Sequence, residues 1–264
     1  MSADFPDYEN PPVIEVVCGI TFEPLKGFKA PHFGLFWQKL RNEYPFCQSA
    51  PPLGFPPGPV DPESEFPLPL PRIWFISQDR TSVIQLQNDK FLCNWRKMEE
   101  GGSYPRYDNI IKSFKKNLKL FKTFLKDEKF NQLKLTEYEL SYINHIPQSK
   151  GWESIDQIQS LLPDLGWRTY DEDRFLPSPQ KLGWTLSFPL PENKGVLNVK
   201  LNQAIRKKDN VPLFILELTA QGTPTEQSVE GIWEYFDVAH KWIVFGFTDL
   251  TSPEVQRSVW KRKR

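Results

Sequence analysis

Residue types that carry acid–base, nucleophilic or metal chemistry are scattered in this sequence. The histidines and cysteines are His32, His145, His240, Cys18, Cys47 and Cys93. None pairs with another at the spacing of zinc ligands, and no serine or cysteine lies in a nucleophile elbow. Gly101-Gly102 lacks the lysine and hydroxyl residue that complete a phosphate-binding loop. The sequence therefore predicts no metal site, no cofactor and no catalytic residue.

Two titratable residues fall in apolar stretches of the sequence. Glu15 interrupts an apolar strand, where a carboxylate needs a charged partner or a shifted pKa. An ion pair with Arg96 or Arg72, or a solvent-facing position, is favoured over a catalytic acid. His240 lies in the apolar stripe of a predicted helix, and we interpret it as a core histidine with one satisfied hydrogen bond.

The clearest charged patch is a row of lysines on one long predicted helix. Its members are Lys112, Lys115, Lys116, Lys119, Lys122 and Lys126. Such a row binds phosphates or an acidic protein, although a solvated helix face has the same pattern. The aromatic residues of this helix lie on its buried side, so no base-stacking platform accompanies the lysines.

The composition is that of a folded globular protein without a dominant charge. The chain has 264 residues, of which 39% are hydrophobic, and 33 basic residues balance 33 acidic ones. It has no global field that would attract nucleic acid or anionic lipid. Cys18 and Cys93 lie among apolar neighbours, where burial raises a thiol pKa, and the odd number of cysteines suits reduced thiols. With no signal-peptide pattern and no long apolar run, we expect a cytoplasmic protein without a membrane partner.

The first half, residues 1–130, shows the pattern strand, helix, three strands, helix. Its predicted elements are a strand over 13–22, a helix over 31–44, strands over 72–77, 82–87 and 90–97, and a helix over 105–126. The segment 45–71 contains ten prolines in 27 residues, which predicts a loop. Its apolar side chains Phe55, Phe66 and Leu68 are candidates for contact with a partner.

The second half, residues 131–264, repeats this order and adds a short terminal helix. Its predicted elements are a strand over 133–146, a helix over 152–162, strands over 183–189, 195–205 and 212–221, and a helix over 224–247. Ile205 is expected to point inward from its strand. A capping box from Thr223 to Glu226 is expected to begin the long helix, and a second box the terminal one.

Together these patterns predict an α+β fold in which the order β-α-β-β-β-α occurs twice. The halves match in the order of elements and not in residues, so a duplication and a coincidence both stay open. We expect one compact unit, with antiparallel strands and the long helices packed on one face. The TATA-binding-protein-like saddle has this order of elements, and the analogy concerns the fold alone.

Several short stretches occur in a recognisable order. They are Asn10-Pro11-Pro12-Val13-Ile14-Glu15, Val83–Gln87, Phe91, Asn94-Trp95-Arg96, Tyr104-Pro105, Asp237–His240, Phe247 and Leu250-Thr251-Ser252. In this order they resemble a sporadically distributed prokaryotic family of proteins of about this length, which opens with the signature N-P-P-[VI]-x-E. The family has no established reaction, so the resemblance implies no active-site residue. It implies structural roles for Asn10, Pro11, Pro12, Glu15, Trp95 and Arg96.

Proteins similar to this family occur as accessory components of bacterial defence loci, including type III CRISPR systems with a caspase-like protease. The resemblance thus implies a partner protein, such as a protease substrate or a sigma-type transcription factor. The lack of a polar constellation in the sequence and the proline-rich segment 45–71 lead to the same hypothesis, a non-enzymatic interaction module. Nucleic-acid binding by the lysine row is the alternative, and an enzyme with an unrecognised site is the third.

Overall fold

The computed structural model describes residues 5–54, 70–98, 103–166 and 175–264 of the chain. The strands are β1 (Val13–Phe22), β2 (Phe46–Ala50), β3 (Arg72–Ile76), β4 (Ser82–Gln87), β5 (Lys90–Arg96), β6 (Leu135–Pro147), β7 (Gly183–Pro189), β8 (Val196–Arg206) and β9 (Val211–Gly222). The α-helices are α1 (Ala30–Leu40), α2 (Tyr107–Asp127), α3 (Val229–Leu250) and α4 (Pro253–Ser258). The strands form an antiparallel sheet in the order β2-β3-β4-β5-β1-β6-β9-β8-β7. The predicted α+β class is confirmed.

The chain divides into two compact units. The first unit is Val17–Tyr138, and the second combines Met1–Val16 with Glu139–Arg264. The amino-terminal residues therefore belong with the carboxyl-terminal half, whereas the sequence pattern divides the chain at residue 130.

In the first unit, α1 and α2 pack on one face of the sheet through phenylalanine rings. The ring centroids of Phe36 in α1 and Phe75 in β3 are 5.7 Å apart. Those of Phe91 in β5 and Phe121 in α2 are 4.8 Å apart. All four side chains are shielded from solvent. Because each such ring removes roughly 150–250 Å² from water, this cluster is the main core of the unit.

In the second unit, the buried stripe of α3 packs against β8 and β9. The two termini meet beside this helix, where the backbone N–H of Lys263 donates to the Asp7 carbonyl at 2.8 Å. Tyr8 is buried, and its hydroxyl lies 2.7 Å from the Thr248 hydroxyl of α3. Tyr8 thus ties the first described residues to α3.

The prediction that 45–71 is a loop throughout is wrong at its beginning. β2 pairs with β3 from Phe46 opposite Ile76 to Ala50 opposite Arg72. It is the outermost strand of the sheet, where flanking prolines that lack an N–H are tolerated. Its first four residues are exposed, so no alternation of apolar and polar residues marks it.

The helix predicted over 152–162 is also wrong, because only a short 3₁₀ helix forms there, Ile155–Ser160. Tertiary hydrogen bonds hold both sides of this segment. The indole N–H of Trp152 donates to the Ile146 carbonyl at 3.0 Å, and the Ser252 N–H donates to the Leu161 carbonyl at 2.8 Å. Its apolar residues are therefore buried without an α-helical backbone.

Two details of the second half differ from expectation. α3 begins at Val229 and is capped by Ser228, whose hydroxyl accepts a hydrogen bond from the Gly231 N–H at 2.9 Å. The capping box at Thr223 is therefore not used. Ile205 is 66% exposed rather than inward, since it lies next to the turn between β8 and β9.

The twofold β-α-β-β-β-α order is not confirmed. Among the described residues, four strands, not three, lie between α1 and α2, and a 3₁₀ helix stands where the second half was expected to have its first α-helix. The saddle analogy stays a prediction. Within the described ranges, every helix is too short or too polar to cross a bilayer.

Candidate functional site

The predicted binding residues of the proline-rich segment, Phe55, Phe66 and Leu68, lie outside the described residues. Leu53, which follows β2 in the same segment, is hydrogen-bonded to a side chain of β4. Its N–H donates to Gln87 Oε1 at 2.7 Å, and its carbonyl accepts from Gln87 Nε2 at 3.1 Å. At Leu53 the segment therefore lies against the sheet face that carries Gln87.

The lysine row lies along α2, as predicted. Lys112, Lys115, Lys116 and Lys119 are exposed, and Lys122 is half-buried. The ammonium of Lys116 is 2.6 Å from a carboxylate oxygen of Glu43. Exposed pairs of this kind contribute only about 0–1 kcal/mol, but Glu43 offsets part of the positive charge.

The amino-terminal signature residues make backbone contacts within the second unit. The Asn10 N–H donates to the Trp260 carbonyl at 3.1 Å, and the Pro12 carbonyl accepts from the His145 N–H at 3.0 Å. Pro11 is half-buried between them. This segment connects the start of β1 to β6 and to the last residues of the chain.

The remaining signature residues lie in β1 and β5. Glu15 is half-buried, and its predicted ion pair stays a prediction. The Trp95 ring packs edge-on against Tyr104, with centroids 5.4 Å apart. The guanidinium of Arg96 lies 5.8 Å from the ring centroid of Trp74 in β3.

Histidines and cysteines form no group that could hold a metal ion among the residues the structure describes. Burial lowers the pKa of His240 to about 4, and its ring stacks on Phe5 with centroids 5.0 Å apart. Burial raises the pKa of the Cys18 and Cys93 thiols, as the sequence predicts. All three side chains are therefore neutral at pH 7.

A polar pocket of about 210 Å³ opens in the first unit where α2 meets β4 and β5. In it, Asn117 donates to the Tyr44 hydroxyl at 3.0 Å. Burial raises the pKa of Tyr44 to about 12, and it also keeps Cys93 protonated. The pocket therefore offers hydrogen bonds to a small ligand, but its titratable side chains supply neither a base nor a thiolate at neutral pH.

A larger opening, an apolar groove of about 860 Å³, lies in the second unit between β7 and α3. Alternation along β7 directs Trp184, Leu186 and Phe188 to the same face. All three are half-buried, whereas Leu197, which pairs with Phe188, is buried. The outermost strand of the second unit thus presents an apolar face that α3 covers only partly.

The other wall of the groove is the flank of α3. Trp242 and Phe245 supply its apolar surface. At Gly246 the helix comes so close to β8 that a Cβ atom there would lie 3.2 Å from Leu197 Cδ2. α3 packs on β8 and β9, so one side of the helix borders the space above β7 and leaves that space open.

Charged residues stand at the rim of the groove. Lys241 and Asp249 lie on α3, eight residues or about 12 Å apart along the helix axis. Asp164 adds a second carboxylate. The three are exposed, so the apolar floor is bordered by one positive and two negative groups.

The strand and the helix that form the groove are predictable from the sequence, but the groove itself is not. The alternation at Trp184, Leu186 and Phe188 indicates only that one face of β7 is covered. Which elements cover that face, and how completely, depends on tertiary packing that the local pattern does not indicate.

Comparison with protein-family models finds no match for this chain, and comparison with curated proteins finds none either.

Proposed function

We propose that this protein is a non-enzymatic interaction module that binds an amphipathic helix of a partner protein in the groove between β7 and α3. The observation that carries the proposal is the half-buried apolar floor formed by Trp184, Leu186 and Phe188. Apolar grooves rimmed by polar groups commonly receive the apolar face of a helix.

The architecture of the first unit supports a helix as the occupant. There, α1 packs near β3 and α2 near β5, so two helices cover one sheet face. In the described part of the second unit, α3 is the helix packed on the sheet, against β8 and β9. A partner helix beside α3 would complete the same kind of layer over β7. A helix with side chains is about 10–12 Å wide, which suits such a position.

The rim charges define the chemistry of the partner. Lys241 favours an acidic residue on the bound helix, and Asp249 with Asp164 favours a basic residue about 12 Å further along. The partner is therefore an amphipathic helix with apolar residues at helical spacing and opposite charges about two turns apart. The resemblance to a family linked to defence loci adds candidate sources of such a helix, including a protease substrate or a sigma-type factor.

A charge-swap experiment tests this proposal. The probes are two fluorescein-labelled, stapled 14-residue helices with the same leucine stripe, one with the acidic and basic residues in matching order and one with them exchanged. Exchanging two rim pairs should cost on the order of 1–3 kcal/mol, or about 5- to 150-fold in Kd. The double variant Lys241→Glu/Asp249→Lys should invert this preference.

Matched variants on β7 locate the binding. Trp184→Ala should weaken binding of the matching peptide, whereas Thr185→Glu should not, because Thr185 is exposed on the opposite face beside Lys200. Thermal unfolding would verify that both variants fold. Equal binding of both peptides, or equal loss in the two variants, would refute the proposal.

A second copy of the chain is the main competing occupant. Phe175 and Leu176, which precede β7, are 95% and 59% exposed. If sedimentation shows a dimer that Phe175→Ser abolishes together with peptide binding, the groove receives a second copy and the partner-helix proposal is wrong.

The lysine row supports a second candidate function, nucleic-acid binding. The supporting observation is that Lys112, Lys115 and Lys119 face solvent along one side of α2. Salt-dependent retention of oligonucleotides that is lost in a Lys115→Glu/Lys116→Glu/Lys119→Glu variant would support it. Failure to retain oligonucleotides at low salt would eliminate it.

A further inference from the structure

The first unit carries a cluster of cationic, aromatic and amide side chains on the sheet face opposite α1 and α2. Its members, which we call the arginine–tryptophan cluster, are Arg72, Trp74, Gln85, Asn94 and Arg96. The register pairs Trp74 with Gln85 and Val83 with Asn94, so they share a face. The neighbouring residues Phe75 and Phe91 point the other way, into the helix-covered core.

Direct contacts join the members of the cluster. Arg72 Nη1 donates to Gln85 Oε1 at 2.8 Å, and Gln85 Nε2 donates to Asn94 Oδ1 at 2.8 Å. The guanidinium carbons of Arg72 and Arg96 lie 5.4 and 5.8 Å from the ring centroid of Trp74. Because Arg96 is on β5 and Trp74 on β3, the Arg96 side chain crosses over β4. Two positive charges are thus held over one indole ring.

No carboxylate of the described residues neutralises these two charges. Neither Arg72 nor Arg96 forms an ion pair with any residue that the structure describes. Arg72 Nε, Arg96 Nε and the indole Nε1 of Trp74 are shielded from water and find no acceptor in the described part of the chain. Buried donors without an acceptor are rare in folded proteins, and three on one sheet face are unusual. All three residues are nevertheless only half-buried, so their other atoms remain within reach of a ligand.

A second aromatic–guanidinium contact extends the face to the outermost strand. The Arg80 guanidinium carbon lies 5.3 Å from the ring centroid of Phe46, which is 39% exposed. Phe46 pairs with Ile76, two residues along β3 from Trp74. Two residues span about 6.7 Å along a strand and neighbouring strands lie about 4.8 Å apart, so the Cα atoms of Phe46 and Trp74 are about 8 Å apart. Exposed Gln48 is directly opposite Trp74 and two residues along β2 from Phe46, on the same face.

We propose that the arginine–tryptophan cluster, extended by Phe46 and Arg80, binds single-stranded nucleic acid. Guanidinium groups bind phosphate and stack on bases, and aromatic rings stack on bases. The amides of Gln85 and Asn94 are buried, and their hydrogen bonds hold the Arg72 guanidinium in place. An acidic peptide would use the arginines but would leave the aromatic rings of Trp74 and Phe46 without a role. This site is separate from the groove of the proposed interaction module and from the lysine row. Its test therefore does not depend on the outcome for either of them.

The test is fluorescence anisotropy of labelled 12-residue oligothymidylate and oligouridylate with the full-length protein, from 20 to 200 mM salt. Wild-type protein should bind with a strong salt dependence. Arg72→Gln/Arg96→Gln should lower the slope of log K against log salt by about 1.4, the value for two phosphate contacts on a single strand. Trp74→Leu should weaken binding by about 5- to 150-fold, which corresponds to the loss of one stacked base.

Two further variants distinguish binding at the cluster from general attraction between positive charge and phosphate. Arg72→Lys/Arg96→Lys keeps both charges, so it should retain the salt slope and lose affinity, because an ammonium neither stacks nor forms a bidentate contact. This variant also keeps the test decisive if the glutamine variant does not fold. The triple lysine-to-glutamate variant of α2 should bind within about threefold of wild type at 200 mM salt, where distant charges are screened.

Three outcomes would overturn the proposal. They are the absence of oligonucleotide binding at 20 mM salt, wild-type affinity in folded Trp74→Leu, and equal competition by an oligoglutamate peptide of the same length. The last result would identify the cluster as a site for acidic peptides instead.

Discussion

Acidification is expected to destabilise the second unit through His240. Its ring stacks on Phe5 and lies 6.3 Å from the ring of Tyr142, and burial lowers its pKa to about 4. In an unfolded chain the histidine pKa is about 6.5. Between these values the unfolded state binds a proton that the folded state excludes. The free energy of unfolding therefore falls as the pH drops from about 6.5 towards 4.

The size of this effect follows from the two pKa values. At pH 7 the histidine is almost neutral in both states, so its cost is only about 0.2 kcal/mol. At pH 5 the unfolded state is almost fully protonated and the folded state is not, which costs about 2 kcal/mol with the folded pKa at about 4. His240 should thus remove about 2 kcal/mol of stability between pH 7 and pH 5.

Urea denaturation of wild type and His240→Gln at pH 7, 6 and 5 measures this contribution. Only the change with pH is compared, so any effect of the substitution on absolute stability cancels. Burial also lowers the pKa of His145, but that residue is present in both proteins. Phe5→Ala should expose the His240 ring and reduce the pH dependence. An equal loss of unfolding free energy between pH 7 and pH 5 in wild type and His240→Gln would refute this prediction.

A matched pair of glycine substitutions tests the local packing at one position in each unit. Gly222→Ala should cost about 1–3 kcal/mol or more, because the new Cβ would overlap the Lys194 carbonyl oxygen and lie 2.5 Å from the Tyr235 ring. Gly34→Ala should instead stabilise the protein by about 0.5–1 kcal/mol, since Gly34 is an exposed position of α1 with no atom within 4 Å of the new Cβ. Thermal unfolding measures the stability of both variants. Higher stability of Gly222→Ala, or lower stability of Gly34→Ala, would contradict this prediction.

The strands and the long helices were predictable because their signals are local. Turn residues between short apolar runs mark β4 and β5, and one apolar stripe marks α2. β2 was not predicted because prolines flank it and its side chains are mostly exposed. Its pairing with β3 is therefore its main stabilising interaction. Such pairing joins residues about 25 positions apart and leaves no trace in local sequence.

The candidate sites were harder to predict because each depends on tertiary neighbours. The sequence indicated Arg72 and Arg96 as possible partners for Glu15 and gave Arg96 a structural role through the resemblance, but nothing local indicates that both reach Trp74. That convergence requires β4 to lie between β3 and β5, with the three strands in the observed register. Sheet register, rather than composition, brings these charges to one ring.

The two units differ in helix coverage, and the two proposed binding surfaces differ with it. In the first unit two helices cover one face of the sheet, so the polar and aromatic residues that could bind a ligand gather on the opposite face. In the second unit the segment 155–160 adopts a 3₁₀ conformation, and α3 covers β8 and β9 while β7 keeps an apolar face. The same logic predicts different binding energetics. Occupancy of the groove should bury apolar area and give a negative heat-capacity change, whereas binding at the arginine–tryptophan cluster should weaken steeply with salt.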